Sequence, residues 1–191
     1  MTPKITFDEA THTYYVDGVK VPSVSEIIAP LRDFSGIDPE VLRKAQDRGK
    51  AVHKACELHD LGTLGDLGPD AAVIEPYLKA WLKFSGSDWE WISIEEIKYH
   101  SKLVYCGTAD RIGIYRGEHV CGVDIKATAK SHAATGVQLG AYELLWGEPF
   151  HKRIGVRLKR DGTFEATEYP DETVTFRSLL NVWKWKQRNP A

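Results

Sequence analysis

Several features that would assign a chain of 191 residues to a special class are absent from this sequence. No stretch approaches the roughly 20 consecutive apolar residues of a membrane-spanning helix. The amino-terminal segment contains Asp8 and Glu9 and has no apolar run, so it does not resemble a signal peptide. Internal repeats and low-complexity segments are also missing. We therefore expect a cytoplasmic protein that has no membrane partner.

Cysteine is scarce, with three residues that lie far apart at Cys56, Cys106 and Cys121. Their number is odd and no Cys-x-x-Cys pair is present, which argues against a disulfide framework and against a cluster held by four thiolates. We expect all three to be small buried apolar residues.

Positive charge is not in excess either, since the formal net charge is -2 at pH 7. From residue 151 onward, however, Lys and Arg outnumber Asp and Glu. A basic region on an acidic chain is compatible with a surface that contacts phosphates. An ordinary solvated surface explains the same composition, and charge alone leaves both open.

Hydrophobic periodicity and turn residues predict the helices and strands of the chain. In order, they are a hairpin over 13–21, helices over 24–29, 38–58 and 70–84, strands over 89–99, 104–115 and 120–126, a helix over 135–146, strands over 151–159 and 163–168, and a helix over 172–187. Ser23 and Glu26 form a capping-box pattern. The apolar positions predicted for the second helix are Val41, Leu42, Ala45, Val52 and Cys56.

This order predicts an α+β (mixed α/β) fold with a central mixed sheet flanked by helices. We expect a single domain over residues 1–191. Its amino-terminal part, residues 1–84, would contain the hairpin and three helices, and its core would span about 85–191.

The tripeptide Asp124-Ile125-Lys126 ends a predicted strand and carries two opposite charges. Because side chains alternate between the faces of a strand, Asp124 and Lys126 share one face and Ile125 lies on the other, toward the core. A half-exposed strand would have the same pattern, so the tripeptide alone does not define a site.

The preceding strand favours a site, because it contains Gly107-Thr108-Ala109-Asp110. If Asp110 lies opposite Asp124, their Cβ atoms are about 5 Å apart and the two like charges repel each other. A divalent cation would convert this repulsion into coordination, since Mg²⁺ prefers carboxylate oxygens. With Lys126 to stabilise a developing phosphorane, this set fits metal-dependent hydrolysis of a phosphodiester.

The hairpin register decides whether the two acids can meet. Pairing of Tyr115 with His119 leaves a three-residue loop, residues 116–118, and places Asp110 opposite Asp124. A two-residue loop would place Asp110 opposite Ile125 and send the two carboxylates to different faces, unless a bulge intervened. We therefore predict either the three-residue loop or a bulge.

Two pairs of residues at helical spacing lie near these strands in the predicted order. Gln138 and Tyr142 are one turn apart on the helix that follows, although Tyr142 could equally be a core residue. Gly49 and His53 have the same spacing, with Glu57 one turn further on, and Gly49 would let a backbone or a substrate approach closely. A single helical histidine is more often structural than catalytic, so the role of His53 stays open on spacing alone.

Taken together, four segments resemble the motifs GxxxH, GxxD, (D/E)xK and QxxxY of the PD-(D/E)XK nuclease superfamily, in its RecB-type, phage exonuclease-like branch. They are Gly49 to His53, Gly107 to Asp110, Asp124 to Lys126 and Gln138 to Tyr142. The segment from His12 to Ser25 also resembles the opening of phage-encoded members. The resemblance covers most of residues 12–142 and says little about 147–191.

The resemblance implies a restriction-endonuclease-like core and a deoxyribonuclease dependent on Mg²⁺ or Mn²⁺. An exonuclease used in recombination or DNA processing is favoured over an endonuclease. The implied catalytic residues are Asp110, Asp124 and Lys126, with Lys126 orienting the attacking water. The implied metal ligands are His53, Asp110, Asp124 and the backbone carbonyl of Ile125. The residues implied to support the site or contact DNA are Gln138, Tyr142, Glu57, Glu96 and Thr128.

A further glutamate is expected at the site, and the candidates are Glu57, Glu95 and Glu96. We prefer Glu96 because it lies near the start of the strand hairpin. The iron–sulfur nucleases of this branch carry four cysteines, which this chain lacks, so we expect neither an iron–sulfur cluster nor a helicase domain.

The implied partner is DNA, and a single-strand annealing or recombination protein is a second candidate. The implied location is the host cytoplasm if the chain is phage-encoded. The alternatives are a structure-specific endonuclease and a DNA-binding or assembly module without nuclease activity. The inactive module would be expected to have lost an acid or Lys126, and this chain has kept them. Strand polarity and oligomeric state stay open.

Overall fold

Residues 3–128 and 130–190 are described by a computed structural model. Their strands are β1 (Ile5–Asp8), β2 (Thr13–Val16), β3 (Val19–Val21), β4 (Trp89–His100), β5 (Tyr105–Tyr115), β6 (His119–Lys126), β7 (Lys152–Leu158) and β8 (Phe164–Tyr169). Their helices are α1 (Val24–Ile28), α2 (Pro39–Asp60), α3 (Ala71–Phe84), α4 (Ala134–Trp146) and α5 (Thr173–Arg188). The predicted α+β class is confirmed.

The strands form two sheets. One is an antiparallel sheet in the order β1-β2-β3, and the other has the order β4-β5-β6-β7-β8. In the five-stranded sheet, β6 and β7 are parallel and the other neighbours are antiparallel. Parallel neighbours need a long crossover, which α4 supplies. The carboxyl ends of β6 and β7 therefore meet at the same edge, just after Lys126 and Leu158.

Helices cover both faces of the five-stranded sheet. On one face, Val24 of α1, Tyr142 of α4, and Phe176 and Leu180 of α5 share a core cluster with Ile112 of the sheet. On the other face, Val52 of α2 and Trp81 of α3 share a core cluster with Val123, Ile125 and Val156 of the sheet. The result is a three-layer arrangement in which the apolar face of β6 is turned toward α2 and α3.

Caps end or begin two of the helices that position the site. Ser23 Oγ accepts a hydrogen bond from the N–H of Glu26 at 3.0 Å, and the N–H of Ser23 donates to Glu26 Oε2 at 2.8 Å. This is the predicted capping box of α1. At the end of α4, Gly147 has a φ of 93°, the left-handed conformation that glycine adopts without strain.

Helix α2 begins at Pro39, and the Asp38 carboxylate before it caps the first turn by accepting hydrogen bonds from the N–H groups of Glu40 and Val41. Of the apolar positions predicted for its first half, Val41 is 58% exposed, whereas Leu42 and Ala45 are half-buried. The residues of α2 that are buried are Val52, Ala55 and Cys56, all in its second half. Periodicity defines one face of a 22-residue helix, but it does not show how much of that face has a neighbour. All three cysteines are free and buried, as predicted.

The β5–β6 hairpin has the predicted three-residue loop. Tyr115 pairs with His119, and the register continues to the pair formed by Arg111 and Val123. In the loop, Arg116 and Gly117 both have positive φ values, 52° and 73°. Asp110 and Asp124 are the next residues of the two strands, so the register condition for their meeting is fulfilled.

The three-stranded sheet is attached to the first half of β5. The N–H of Cys106 donates to the carbonyl of Pro22 at 2.9 Å. The hydroxyls of Tyr14 and Thr108 share a hydrogen bond at 2.9 Å. These contacts hold the amino-terminal strands beside the part of β5 that leads into Asp110.

No helix within residues 3–128 and 130–190 combines the length and the apolar character that crossing a bilayer demands.

Candidate metal centre

Asp110 lies where β5 and β6 separate, just beyond their last pair. Its Oδ2 accepts a hydrogen bond of 2.6 Å from the N–H of Ile125. The side chain of Asp110 thus replaces the backbone carbonyl that would accept this bond in a continuing strand ladder. The N–H and C=O of one strand residue point to the same side. The Ile125 carbonyl therefore faces the same gap between the strands as the Asp110 carboxylate.

Three side chains around this gap form a candidate metal-binding cluster. His53 Nδ1 lies 3.5 Å from Asp110 Oδ1 and 3.8 Å from Glu95 Oε1. One ligand atom from each of the three residues lies within 4.8 Å of the others. His53 comes from the buried second half of α2, directly after the core residue Val52. Helix packing thus brings the histidine of the GxxxH motif to the acid of the GxxD motif.

Glu95 reaches the cluster because the register of β4 and β5 places it beside Asp110. The pairing of β4 with β5 passes from Ile94–Arg111 to Glu96–Ala109, so Glu95 lies opposite Asp110. Its φ of 48° is in the left-handed region, which interrupts the alternation of side chains along the strand.

The structure places Glu95, rather than the preferred Glu96, beside His53 and Asp110. The Glu96 carboxylate accepts hydrogen bonds from Ser93 Oγ at 2.9 Å and Lys98 Nζ at 3.0 Å. Glu57 is also elsewhere, because its carboxylate forms an ion pair with Lys54 at 2.9 Å. Position relative to the hairpin start was a poor guide, since the cross-strand register of β4 and β5 decides which glutamate lies beside Asp110.

Asp124 is fully buried, and its charge partner is Lys126. Lys126 Nζ lies 2.6 Å from Asp124 Oδ2. Asp124 Oδ1 has no hydrogen-bond partner within residues 3–128 and 130–190. The predicted division of faces on β6 is confirmed, because Val123 and Ile125 pack in the core on the α2 and α3 side.

The pKa values of the acids and the histidine show how strongly these groups interact. Burial opposes ionisation of Asp110, but the His53 charge and hydrogen bonding outweigh it and lower the Asp110 pKa to about 2. Burial also opposes the charge of His53, but Asp110 and Glu95 outweigh it and raise the His53 pKa to about 10. Burial and the Asp110 charge raise the pKa values of Asp124 and Glu95.

Gln138 and Tyr142 lie at the site as the resemblance implied. Gln138 Nε2 donates to the Tyr142 hydroxyl at 2.7 Å, which directs Gln138 Oε1 the other way. That oxygen is 3.5 Å from Lys126 Nζ and accepts a 2.9 Å hydrogen bond from an Arg32 NH2 group. Two cations thus share one amide oxygen beside Asp124.

Arg32 was not predicted from the sequence. It follows the 3-10 turn Ala29–Leu31, outside the four motif segments of the chain. Within the described part of the chain, no carboxylate lies at salt-bridge distance from its guanidinium. The sequence offers no signal for its position, because only the packing of α1 against α4 brings this turn to Gln138.

Thr128 is the remaining predicted residue. Its hydroxyl donates to the carbonyl of Lys130 at 3.0 Å. It borders a cleft rather than the cluster of acids, at the exit of β6.

A buried ion pair supports the backbone at Asp110 from the opposite face of the sheet. Arg111 is fully buried, and its Nε donates to Asp60 Oδ2 at 2.7 Å. Trp81 Nε1 donates to the same carboxylate at 3.0 Å. Arg111 NH1 also reaches Glu95 Oε1 at 3.4 Å, so one guanidinium links the end of α2 to the acid of the cluster.

The side chains fit a divalent metal ion on two grounds. The donor set consists of one imidazole nitrogen and several carboxylate oxygens, a combination that suits Mg²⁺ or Mn²⁺. Asp124 Oδ1 is a buried oxygen without a donor among the described residues, and a cation would satisfy it. The close cluster itself comprises His53, Glu95 and Asp110, and Asp124 lies beside it, held by Lys126.

Comparisons with known proteins add little to this geometry. No family model matches the chain, and no curated protein matches it. Among solved structures, the crystal structure of SSO0001 is similar at 20% sequence identity and a TM-score of 0.39, over 74% of this chain and 72% of that protein. A likeness of this degree carries no argument about function. The argument about function rests on the residues of the site.

Proposed function

We propose that this protein is a metal-dependent deoxyribonuclease that hydrolyses phosphodiester bonds at Asp110, Asp124 and Lys126. The observation that carries the proposal is the buried Asp124, which pairs with Lys126, has an oxygen without a donor in the described chain, and interacts with Asp110 and His53 of the cluster. Burying several acids together costs free energy unless cations compensate them.

The carboxylates of Asp110, Asp124 and Glu95, the imidazole of His53 and the carbonyl of Ile125 would hold Mg²⁺ or Mn²⁺. When bound, such an ion supplies Lewis acidity toward water and phosphate oxygens. Lys126 would donate a hydrogen bond that orients the attacking water beside Asp124. The water oxygen would bond to phosphorus as the bridging P–O bond breaks. The attacking water would release one proton to solvent, and the departing sugar oxygen would take up one proton from solvent.

Arg32 and Lys126 would bind the non-bridging phosphate oxygens. The transition state of hydrolysis carries more negative charge on these oxygens than the bound diester does, so fixed cations stabilise it selectively. Gln138 holds both cations through one oxygen, and Tyr142 holds Gln138. The pair that sequence analysis assigned to support thus acts through the two cations.

The finer parts of the proposal follow the sequence resemblance. They are DNA rather than RNA as substrate, an exonuclease of the phage type rather than an endonuclease, a role in recombination or DNA processing, and a single-strand annealing or recombination protein as partner. A location in the cytoplasm belongs to the same group of proposals.

The experiment is cleavage of end-labelled linear DNA and closed circular DNA by the purified protein with Mg²⁺, Mn²⁺ or EDTA. We expect cleavage with either ion and none with EDTA, and an exonuclease leaves the closed circle intact. Asp124→Asn removes one carboxylate charge without changing side-chain volume, and it should abolish cleavage.

The matched control is Asp47→Asn, which removes an exposed carboxylate that pairs with Arg43 on the first half of α2. It should cleave as the wild type does. Cleavage by the wild type in excess EDTA, or full activity of Asp124→Asn, would contradict the mechanism. DNA binding without cleavage by the wild type would instead identify a binding module.

A further inference from the structure

A cleft of about 430 Å³ opens at the edge of the sheet where β6 and β7 end. Its walls come from three elements: Arg48 from α2, Tyr77 from α3, and Arg157, Lys159 and Arg160 from the end of β7 and the turn after it. Thr128 lies at its rim, two residues beyond Lys126. Two residues of extended chain span about 7 Å, so the cleft continues directly from the candidate metal centre.

The basic residues of the cleft are only partly neutralised. Arg157 and Lys159 share the carboxylate of Glu165. Arg160 Nε donates to the Tyr77 hydroxyl at 3.1 Å. Within residues 3–128 and 130–190, neither Arg160 nor Arg48 lies at salt-bridge distance from a carboxylate, and Arg48 Nε is a buried donor without a partner.

The one acid in the lining does not change this balance, because it has other partners. Asp161 Oδ1 accepts hydrogen bonds from the N–H and the hydroxyl of Thr163, at 2.9 Å and 2.6 Å. The cleft therefore presents two guanidinium groups from separate elements, facing one space without a counter-ion of their own. Like charges in such an arrangement repel each other until an anion lies between them.

The wall that carries Arg160 is also fixed in place. Lys83 Nζ donates to the carbonyl of Gly162 at 2.6 Å, which ties the β7–β8 turn to α3. On the neighbouring strand, Arg157 is the direct partner of Lys126. A strand of phosphates that enters the metal centre at Lys126 would reach this wall within one or two nucleotides.

We propose that this cleft binds the phosphodiester backbone of the substrate strand next to the cleaved bond, with Arg48 and Arg160 each contacting a phosphate. The inference rests on the proposed nuclease function and names the surface along which the strand runs. The strand would lie along the carboxyl ends of β6 and β7, between α2 and the β7–β8 turn. Thr128 would then lie beside the first phosphate beyond the metal centre.

The test measures binding alone, in an Asp124→Asn background that keeps the strand intact. The dissociation constant of a fluorescein-labelled single-stranded oligonucleotide is determined by anisotropy at several salt concentrations. For single strands, each phosphate contact contributes about 0.7 to the slope of log affinity against log salt. The double variant Arg48→Gln/Arg160→Gln should lose about 1.4 from that slope and bind more weakly at low salt.

Two further double variants make the result specific. Arg43→Gln/Arg116→Gln removes the same charge from exposed ion pairs, one on another face of α2 and one at the opposite end of the hairpin. It should keep the wild-type slope. Arg48→Lys/Arg160→Lys keeps both charges and should restore most of the slope. Far-UV circular dichroism confirms that each variant is folded.

A slope for Arg48→Gln/Arg160→Gln that equals that of the control variant would overturn the inference, as would an equal loss in the control. The outcome is separate from that of the nuclease assay. If the wild type cleaves DNA but the cleft variant keeps the salt slope, the proposed function stands and the proposed binding surface is rejected. If the wild type does not cleave DNA but the cleft variant has a reduced salt slope, the proposed binding surface stands and the proposed function is rejected.

Discussion

Asp110 and Asp124 are both buried carboxylates, yet their partners differ. Asp110 accepts a hydrogen bond from the Ile125 backbone and lies beside His53, whereas Asp124 has Lys126 and an oxygen without a donor among the described residues. A buried carboxylate whose oxygens all have hydrogen-bond partners stabilises the folded state, whereas one with an unsatisfied oxygen destabilises it. The two acids therefore have different roles in the metal-free protein.

This difference predicts the stability of two alanine variants. Asp110→Ala leaves the Ile125 N–H without an acceptor, whereas Asp124→Ala removes an unsatisfied oxygen and leaves half-buried Lys126 able to reach water. Asp110→Ala should be less stable than Asp124→Ala by about 1–3 kcal/mol. Urea unfolding in EDTA measures the difference. Equal stabilities, or a less stable Asp124→Ala, would contradict this account of the two carboxylates.

His53 supplies the one nitrogen of the cluster, and its replacement distinguishes a ligand from a packing residue. His53→Ala should lower the cleavage rate by at least about 100-fold and raise the metal concentration needed for activity. The rate is measured at a temperature at which the melting curve shows the variant to be folded. A variant that melts earlier but cleaves normally would remove His53 from the site.

Arg32 is the residue of the site that the sequence did not indicate. Arg32→Gln removes one of the two cations on Gln138 Oε1, and the loss of one transition-state donor typically lowers kcat by about 100- to 1,000-fold. Arg32→Lys should recover part of the rate, because the charge remains while the guanidinium geometry is lost. Single-turnover cleavage at saturating substrate measures both variants. An unchanged kcat for Arg32→Gln would exclude it from the reaction.

Two glycines in helices show how elements are placed around the site. At Gly49 in α2, a Cβ would have no atom within 4 Å. At Gly140 in α4, it would lie 2.8 Å from the backbone carbon of Glu172, where α5 begins. One glycine thus faces open space near His53, and the other lets two helices of the core pack closely.

Alanine at these two glycines should have opposite effects on stability. Gly49→Ala should stabilise the fold by about 0.5–1 kcal/mol through helix propensity. Gly140→Ala should destabilise it by about 1–3 kcal/mol, because backbone rather than a flexible side chain must move. Urea unfolding gives both values. If substrate approaches α2 closely at Gly49, the more stable variant should cleave more slowly, and an unchanged rate would exclude that approach.

The elements themselves were largely predictable, because their boundaries have local chemical causes. The capping box at Ser23 and the three-residue hairpin loop were both predicted, since a cap or a turn depends on a few neighbouring residues. Strand β1 was not predicted, because its four residues alternate between exposed and half-buried without a turn signal of their own. The misplaced Val41 has a related cause: the extent of a packed face depends on distant elements.

The site was predictable only where the motif spacing follows a strand or a helix. Asp124 and Lys126 share a face because they lie two residues apart on a regular strand. Glu95 was passed over because the cross-strand register of β4 and β5 decides which glutamate lies beside Asp110. Arg32 was missed because its contact with Gln138 joins residues more than a hundred positions apart.

For the molecule as a whole, the clustered acids predict that metal binding stabilises the fold. An ion that binds only the folded state at 100 times its dissociation constant adds about 2.7 kcal/mol. For a domain of this size, that corresponds to about 5–10 °C in Tm. Differential scanning fluorimetry with Mg²⁺ or Mn²⁺ measures the shift, and Asp110→Asn should lose most of it. Equal shifts in the wild type and the variant would place the binding elsewhere.

The irregular backbone at Glu95 has another consequence, for the behaviour of the protein at high concentration. Strand β4 lies at the edge of the five-stranded sheet and has 12 residues, long enough to offer a row of free backbone groups to a second molecule. The left-handed Glu95 and the register shift between Trp91 and Ser93 divide this row into short segments. Bulges and kinks of this kind prevent edge-to-edge pairing between molecules. The left-handed residue that contributes a carboxylate to the candidate metal centre therefore also interrupts the strand edge at which a second molecule could pair.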